Sequence, residues 1–136
     1  MNGASVKVFS KAKDGSKKVV SNCPNFLVRE FSCNDGSDVV FISPDLVEIL
    51  QQIRDHFKAP VSINSGYRTP AYNKKVGGAT YSQHLYGMAA DIVVKGVEPK
   101  KVYAYADSLL PCTGGVGLYK TFVHVDVRKA KSRWDG

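Results

Sequence analysis

The chain has 136 residues and a formal net charge of +7, and this length fits one domain with a single hydrophobic core. Its apolar fraction of 43% and charged fraction of 23% are ordinary for a globular protein, and no apolar run approaches the ~20 residues that would cross a bilayer. The positive charge suits a solvated surface or attraction to an anionic polymer. The sequence has no zinc-finger spacing, RNA-binding aromatic signature or helix-turn-helix pattern, so we expect no nucleic-acid partner.

Residues 1–21 are predicted to form a basic N-terminal hairpin or arm. Two valines near its start alternate with polar residues, Asp14 and Gly15 supply a turn, and a second pair of valines returns. The segment carries five lysines and few large apolar side chains. We therefore expect it to be an appendage, with residues 22–136 forming the main domain.

Two helices are predicted from their ends and from apolar residues at helical spacing. The first begins after Ser43, which can cap it, with Pro44 at the first helical position and Asp45 near the positive end of the helix dipole. Pro60 ends this helix. Its apolar stripe consists of Leu46, Ile49, Leu50, Ile53 and Phe57. The second helix opens at Glu98 and ends at Pro111.

Short apolar or alternating segments at 61–64, 89–94 and 121–127 predict strands, and a glycine-rich turn precedes the last of them. Helices and strands do not alternate strictly along the chain. We therefore predict an α+β fold, with a small, mainly antiparallel sheet and helices packed on one side.

The three cysteines, Cys23, Cys33 and Cys112, are scattered and include no Cys-x-x-Cys pair, which argues against a cysteine metal site. Free, mostly buried thiols in a reducing compartment are the predicted state. A disulfide between Cys23 and Cys33 stays open as an alternative.

Two histidines and one aspartate predict a metal centre. His84 and Asp91 lie a short, small-residue loop apart, and His124 lies in a segment with the alternation of a half-buried strand. Two His and one Asp, with a fourth position left to water, form the ligand set of an open catalytic zinc site. On spacing alone, an ordinary loop histidine, a surface carboxylate and a buried histidine explain the pattern slightly better, and it is the flanking residues that favour a metal site. Our working hypothesis is that the three residues hold one zinc ion.

Two further charged residues are candidates for catalysis. Asp126 lies two residues after His124, so both side chains leave a strand on the same face. We rank its roles as orienting an imidazole, then acting as general base toward water, then pairing with Arg128 as structure alone. Arg68 follows a strand and turn, where it can bind a carboxylate or stabilise an oxyanion; a surface salt bridge is its alternative.

Four polar side chains are candidates for hydrogen bonds to a substrate: Tyr67, Ser82, Gln83 and Tyr119. For each of them a packing role is at least as well supported by the sequence. The lone Trp134 is expected to pin the C-terminal segment rather than to bind sugar.

Several motifs occur in one order along the chain. They are Ser-Gly-Tyr-Arg-Thr-Pro at 65–70, Ser-x-His-x-x-Gly-x-Ala-x-Asp at 82–91, Gly-Leu-Tyr at 117–119 and Phe-Val-His-Val-Asp at 122–126. Together they resemble the zinc D-alanyl-D-alanine carboxypeptidase and L-alanyl-D-glutamate endopeptidase family, which cuts peptidoglycan peptides and shares the fold of the hedgehog signalling domain. The resemblance extends over residues 26–134.

This resemblance implies that His84, Asp91 and His124 are zinc ligands and that Arg68 contacts the substrate or the developing oxyanion. Members of the family usually carry a catalytic acid–base just before the second ligand histidine. Here Thr121 and Phe122 occupy those positions and cannot serve. Asp126 is therefore our replacement candidate for the general base.

The resemblance further implies that residues 22–136 form a monomeric zinc peptidase domain that hydrolyses an amide bond of the muropeptide stem, as a carboxypeptidase or an endopeptidase. The alternative is a catalytically inactive zinc-bearing domain that binds the cell wall or is structural. Residues 1–7 lack the apolar region of a secretory signal. Action on the cell wall would then follow release by phage-type lysis, as for an endolysin, or a place within a larger secreted or tail protein.

Overall fold

The computed structural model describes residues 5–136, so residues 1–4 of the predicted arm lie outside the described residues. The strands are β1 Lys7–Ser10, β2 Val39–Ile42, β3 Val61–Ser65, β4 Ala89–Val94, β5 Gly115–Leu118, β6 Val123–Asp126 and β7 Ser132–Asp135. The helices are α1 Lys11–Asp14, α2 Pro44–Phe57, α3 Pro70–Lys75 and α4 Pro99–Leu109. Two 3₁₀ turns span Val28–Phe31 and Gln83–Tyr86. Within these residues no helix combines the length and the apolar character needed to cross a membrane.

Five strands form the main sheet, in the order β3-β4-β6-β5-β7. All neighbours are antiparallel except β5 and β7, which run parallel. Helices α2 and α4 contact each other and also contact the sheet, so they cover one of its faces. The predicted α+β fold, with a mainly antiparallel sheet and helices on one side, is confirmed.

Helix α2 anchors the core on that face. Pro44 occupies the first turn, and Lys58 ends the helix in the left-handed region, with a φ of 51°. Leu46, Leu50 and Ile53 are fully buried, and burial of each such side chain contributes about 1.5–3 kcal/mol. The predicted stripe therefore faces the core, as its spacing required.

The predicted N-terminal hairpin is wrong. Strand β1 pairs antiparallel with the distant β2, and Asp14 ends a short helix instead of opening a turn. Short polar side chains explain the difference, because one nearby and one distant side chain bind backbone N–H groups of the short helix. Ser10 accepts from the backbone N of Lys13 at 3.2 Å, and Asp38 accepts from the backbone N of Ala12 at 2.8 Å. The segment is part of the packed domain, since Val19 joins the core.

The cysteines are free thiols, as predicted, with Cys23 and Cys33 buried and Cys112 exposed. The alternative disulfide between the first two does not form.

Candidate metal centre

Strand register brings two of the predicted ligands together. Asp91 on β4 lies directly opposite His124 on β6, and side chains of such a pair leave the sheet on the same face. The next pair along, Ala90 and Val125, points the other way and is fully buried beneath the helices. One face of the sheet is therefore apolar core, while the opposite face carries the polar groups.

The third predicted ligand, His84, is placed by a tight turn. Ser82 caps this turn by accepting a hydrogen bond from the backbone N of His84 at 3.2 Å. Gly87 closes it with a φ of 71°, in the region that favours glycine. A Cβ at Gly87 would also lie 2.3 Å from the carbonyl oxygen of Phe41. Both the conformation and the close approach therefore require glycine at this position.

The three side chains converge on one point. His84 Nε2 lies 3.3 Å from Asp91 Oδ1, and His124 Nδ1 lies 3.1 Å from the same oxygen. One ligand atom from each residue falls within 4.8 Å of the others, and all three residues are buried. Ligands at ~2.1 Å from a tetrahedral zinc ion are about 3.4 Å apart, so these separations suit the metal.

Hydrogen bonds leave the correct nitrogen of each imidazole available. His84 Nδ1 lies 2.7 Å from the carbonyl oxygen of Gly66, which can only accept, so Nδ1 carries the proton and Nε2 is bare. His124 Nε2 lies 2.7 Å from Asp126 Oδ2, so its bare nitrogen is Nδ1. Each of these nitrogens faces Asp91: it donates to that carboxylate when the ring is protonated, and it offers a lone pair to a metal when the ring is neutral. This is the arrangement by which proteins orient metal-binding histidines, and two nitrogens with one oxygen fit zinc.

Asp126 lies behind His124 and is completely buried. Besides His124, it accepts hydrogen bonds from the backbone N of Gly115 at 2.8 Å and from Arg128 Nε at 2.9 Å and Nη2 at 2.6 Å. Its carboxylate does not line the cleft in which the three ligands lie. The geometry supports the orienting role predicted for Asp126 and gives no support to a general-base role.

Electrostatics favours ionised carboxylates at the centre. Burial alone would raise the pKa of Asp91, but hydrogen bonds with His124 and His84 outweigh it and hold that pKa well below the usual range. The same holds for Asp126. Burial raises its pKa, but hydrogen bonds from His124 and Arg128 outweigh burial, so the pKa is lowered overall. Burial lowers the pKa of His124, yet Asp126 and Asp91 together raise it above the ordinary value. Protons and a metal would therefore compete for the same nitrogen of His124.

Arg68 is held against the ligand carboxylate. Its Nε donates to Ser65 Oγ at 3.1 Å, Nη1 donates to Asn73 Oδ1 at 3.2 Å, and Nη2 lies 3.5 Å from Asp91 Oδ2. A guanidinium carries five N–H groups, so two have no acceptor among residues 5–136. Because its side chain is only 15% exposed and lines the cleft, the surface salt-bridge alternative does not describe it.

The cleft has a volume of about 460 Å³. Of the four predicted substrate contacts, Ser82, Gln83 and Tyr119 line it. Tyr67 does not: it is 5% exposed and packs edge-on against Phe41, with ring centroids 5.1 Å apart. The strand–turn that presents Arg68 to the cleft turns Tyr67 into the core, so this geometry lends no support to a substrate contact by Tyr67.

Sequence reasoning gave Trp134 too small a role. It does hold the C-terminal segment, but its ring also forms a wall of the cleft, 5.0 Å from the ring of His124. Gly117 lies opposite both His124 and Trp134 in the sheet, and a Cβ there would lie 2.4 Å from the indole. The glycine leaves room for the ring. In the sequence, only the position of Gly117 in the alternating segment before β6 indicates this space for the ring.

Comparison with known proteins gives matches over most of the chain. The family model described as Peptidase M15 matches residues 22–126. A protein of Haemophilus influenzae named "probable peptidoglycan L,D-endopeptidase MepK" is 31% identical over 138 residues, covering 94% of this chain and 70% of that protein. The zinc D-Ala-D-Ala carboxypeptidase of Streptomyces albus G is 48% identical over 33 residues, covering 24% of this chain and 13% of that protein. The family match contains all three clustered residues.

Proposed function

Because the chain belongs to the peptidase M15 family, we propose that it hydrolyses an amide bond in the peptide stem of peptidoglycan, with zinc held by His84, Asp91 and His124. The observation that carries this proposal is the cluster itself, in which one atom from each residue lies within 4.8 Å of the others. The names of the two relatives support the metal and the substrate class.

Bound zinc supplies Lewis-acid polarisation of the scissile carbonyl and lowers the pKa of a water molecule. Beside Asp91, Arg68 has two N–H groups that no described residue accepts. Those groups donate either to the carbonyl oxygen as it gains negative charge or to a substrate carboxylate. Asp126 fixes the ring of His124 and is a positioning residue in this proposal.

Other polar groups of the cleft suit a peptide. Gln83 lines the cleft, and its buried amide oxygen has no hydrogen-bond partner among residues 5–136; a rotation of this side chain would offer that oxygen to a substrate N–H. The hydroxyl of Tyr119 accepts from Trp134 Nε1 at 3.0 Å, which leaves its own proton for a substrate acceptor. Ser82 lies beside them at the cleft wall. The three residues are proposed to align the peptide across the ligand cluster.

We propose internal cleavage rather than removal of a terminal residue. The alignment with the protein named as an endopeptidase extends over 94% of the chain, against 24% for the carboxypeptidase. Cross-linked muropeptides and linear stem peptides ending in D-Ala-D-Ala should therefore be offered in parallel. Release of the terminal D-Ala alone would contradict internal cleavage. Release by phage-type lysis, or as part of a larger protein, stays a prediction that neither name supports.

The first test measures zinc per chain together with amine release from purified peptidoglycan, with and without a chelator. We expect about one zinc per chain and hydrolysis that chelation abolishes. His84→Ala should lose both. His56→Ala is the matched control, since His56 is exposed on α2 and stacks on Tyr105 at a centroid distance of 3.7 Å, away from the cleft; it should retain both.

Two results would count against the proposal. A folded protein that takes up no zinc on reconstitution would refute the metal centre. Zinc binding without hydrolysis of any wall type would instead favour the alternative, a zinc-bearing domain that binds the cell wall or is structural.

A further inference from the structure

Arg128 is a second fixed guanidinium in the cleft. Its Nε lies 2.9 and 3.0 Å from the two carboxylate oxygens of Asp126, its Nη2 lies 2.6 Å from Oδ2, and its backbone N donates to Oδ1 at 3.0 Å. Since Asp126 is fully buried, this fork anchors one edge of the guanidinium to the interior of the protein. Arg128 lies just beyond the end of β6, two residues after Asp126.

The other side of the guanidinium is available. Nη1, which carries two N–H groups, has no acceptor among residues 5–136, and the side chain is 29% exposed and lines the cleft. The indole of Trp134 holds the group from a second direction, with Cζ 5.3 Å from the ring centroid. An arginine fixed in this way loses little conformational entropy when it binds an anion.

Arg128 and Arg68 each pair with a carboxylate that contacts a histidine of the proposed metal centre. Arg68 binds the ligand carboxylate of Asp91, and Arg128 binds the carboxylate that orients His124. Each keeps N–H groups without a protein acceptor among the described residues. A guanidinium that already binds one carboxylate can bind a second through its other edge, and planar forked recognition favours carboxylates. The cleft therefore presents two separate cationic groups to one bound molecule.

We propose that Arg128 is a specificity-determining residue, whose Nη1 binds a carboxylate of an acidic peptide substrate at a position different from that read by Arg68. The inference rests on the proposed function, because it assigns the substrate of the same cleft. It predicts that the protein discriminates a peptide with a free carboxylate from the same peptide carrying a carboxamide there.

The test uses a set of synthetic stem peptides in which each free carboxylate is converted in turn to a carboxamide. For the zinc-loaded wild-type protein, we expect kcat/KM to fall about tenfold or more at the carboxylate bound by Arg128, the range of a lost charge-assisted hydrogen bond. In Arg128→Gln, the ratio of kcat/KM for the acid peptide to kcat/KM for the amide peptide should fall to about one at that position. The same ratio at the other positions should stay unchanged. A general loss of activity, caused by looser packing of Asp126, cancels in these ratios.

Two variants sharpen the result. Arg128→Lys keeps the charge without the fork and should give an intermediate ratio. Lys129→Gln removes one charge from the neighbouring exposed residue and should keep the wild-type ratio. If a variant turns over too slowly, the dissociation constants of the acid and amide peptides provide the same comparison.

The outcomes separate the two proposals. If the wild-type protein hydrolyses none of the peptides, the proposed function fails and this inference fails with it. If the peptides are hydrolysed but Arg128→Gln retains the wild-type ratio at every position, the assignment of Arg128 is overturned while the peptidase proposal stands.

Discussion

The proposed metal centre has two halves that are built in different ways. Asp91 and His124 stand opposite each other on neighbouring strands, so sheet register alone fixes their relation. His84 arrives on a short 3₁₀ turn and reaches the same point only because the backbone is tightly constrained. The strand half depends on the buried carboxylate of Asp126 behind His124. The loop half depends on Gly87 and on the backbone carbonyl of Gly66, which binds His84. The two halves should therefore fail for different physical reasons.

The loop half should break most severely at Gly87. Gly87→Ala forces a side chain into the left-handed region, at about 1–2 kcal/mol, and against the carbonyl of Phe41, at about 1–3 kcal/mol. We expect a loss of about 3–4 kcal/mol in the free energy of unfolding, measured by denaturant titration, and loss of zinc. Gly96→Ala is the control, since its φ is similar at 74° but nothing lies within 4 Å of its Cβ; it should cost about 1 kcal/mol. Equal effects of the two substitutions would show that the contact with Phe41 is unimportant.

The strand half should respond next most strongly to loss of Asp126. Asp126→Ala leaves Arg128 without its buried partner, and breaking such a pair costs about 3 kcal/mol when one member keeps some solvent. Zinc affinity should also fall about 10- to 100-fold, because His124 loses the group that orients it. Calorimetric zinc titration beside activity measurement checks this. Unchanged zinc affinity with abolished hydrolysis would restore Asp126 as a general base.

Gly117→Ala should give the smallest change of the three. The new methyl group would displace the indole of Trp134 from its place beside His124, at about 2 kcal/mol for an overpacked site. Because the chain has a single tryptophan, the shift in its fluorescence emission reports this displacement directly. Zinc binding should persist, since no ligand moves. An unchanged emission spectrum would contradict the placement of the ring over Gly117.

The sequence predicts the fold class and the ligand types well where the signals are local. Helix α2 follows from its proline and its apolar spacing, whereas the side chain of Ser43, at the predicted N-cap position, makes no capping hydrogen bond. His84, Asp91 and His124 could be grouped because their residue types match the chemistry of zinc, and the structure brings their side chains within 4.8 Å. That they bind the metal stays a proposal.

The sequence predicts less well where contacts between segments far apart in the chain determine the structure. An Asp-Gly pair predicts an N-terminal hairpin, but β1 pairs with β2, more than 25 residues further along the chain. Tyr67 and Arg68 are neighbours, and no local pattern shows which of them faces the core. Arg128 and Trp134 meet because β7 pairs in parallel with β5. No turn motif in the sequence predicts this strand pairing.

The strand order also has a consequence for how the protein is assembled as it is synthesised. Strand β5 precedes β6 in the chain, yet β6 lies between β4 and β5 in the sheet. A growing chain therefore cannot complete the sheet outward from β4 until β6 has emerged and inserted. All three proposed ligands precede β7 in the chain, so the centre can be complete before Trp134 is available. Trp134, the cleft wall beside His124, is then added after all three ligands, and because β7 is an edge strand, its local opening would remove that wall without moving them.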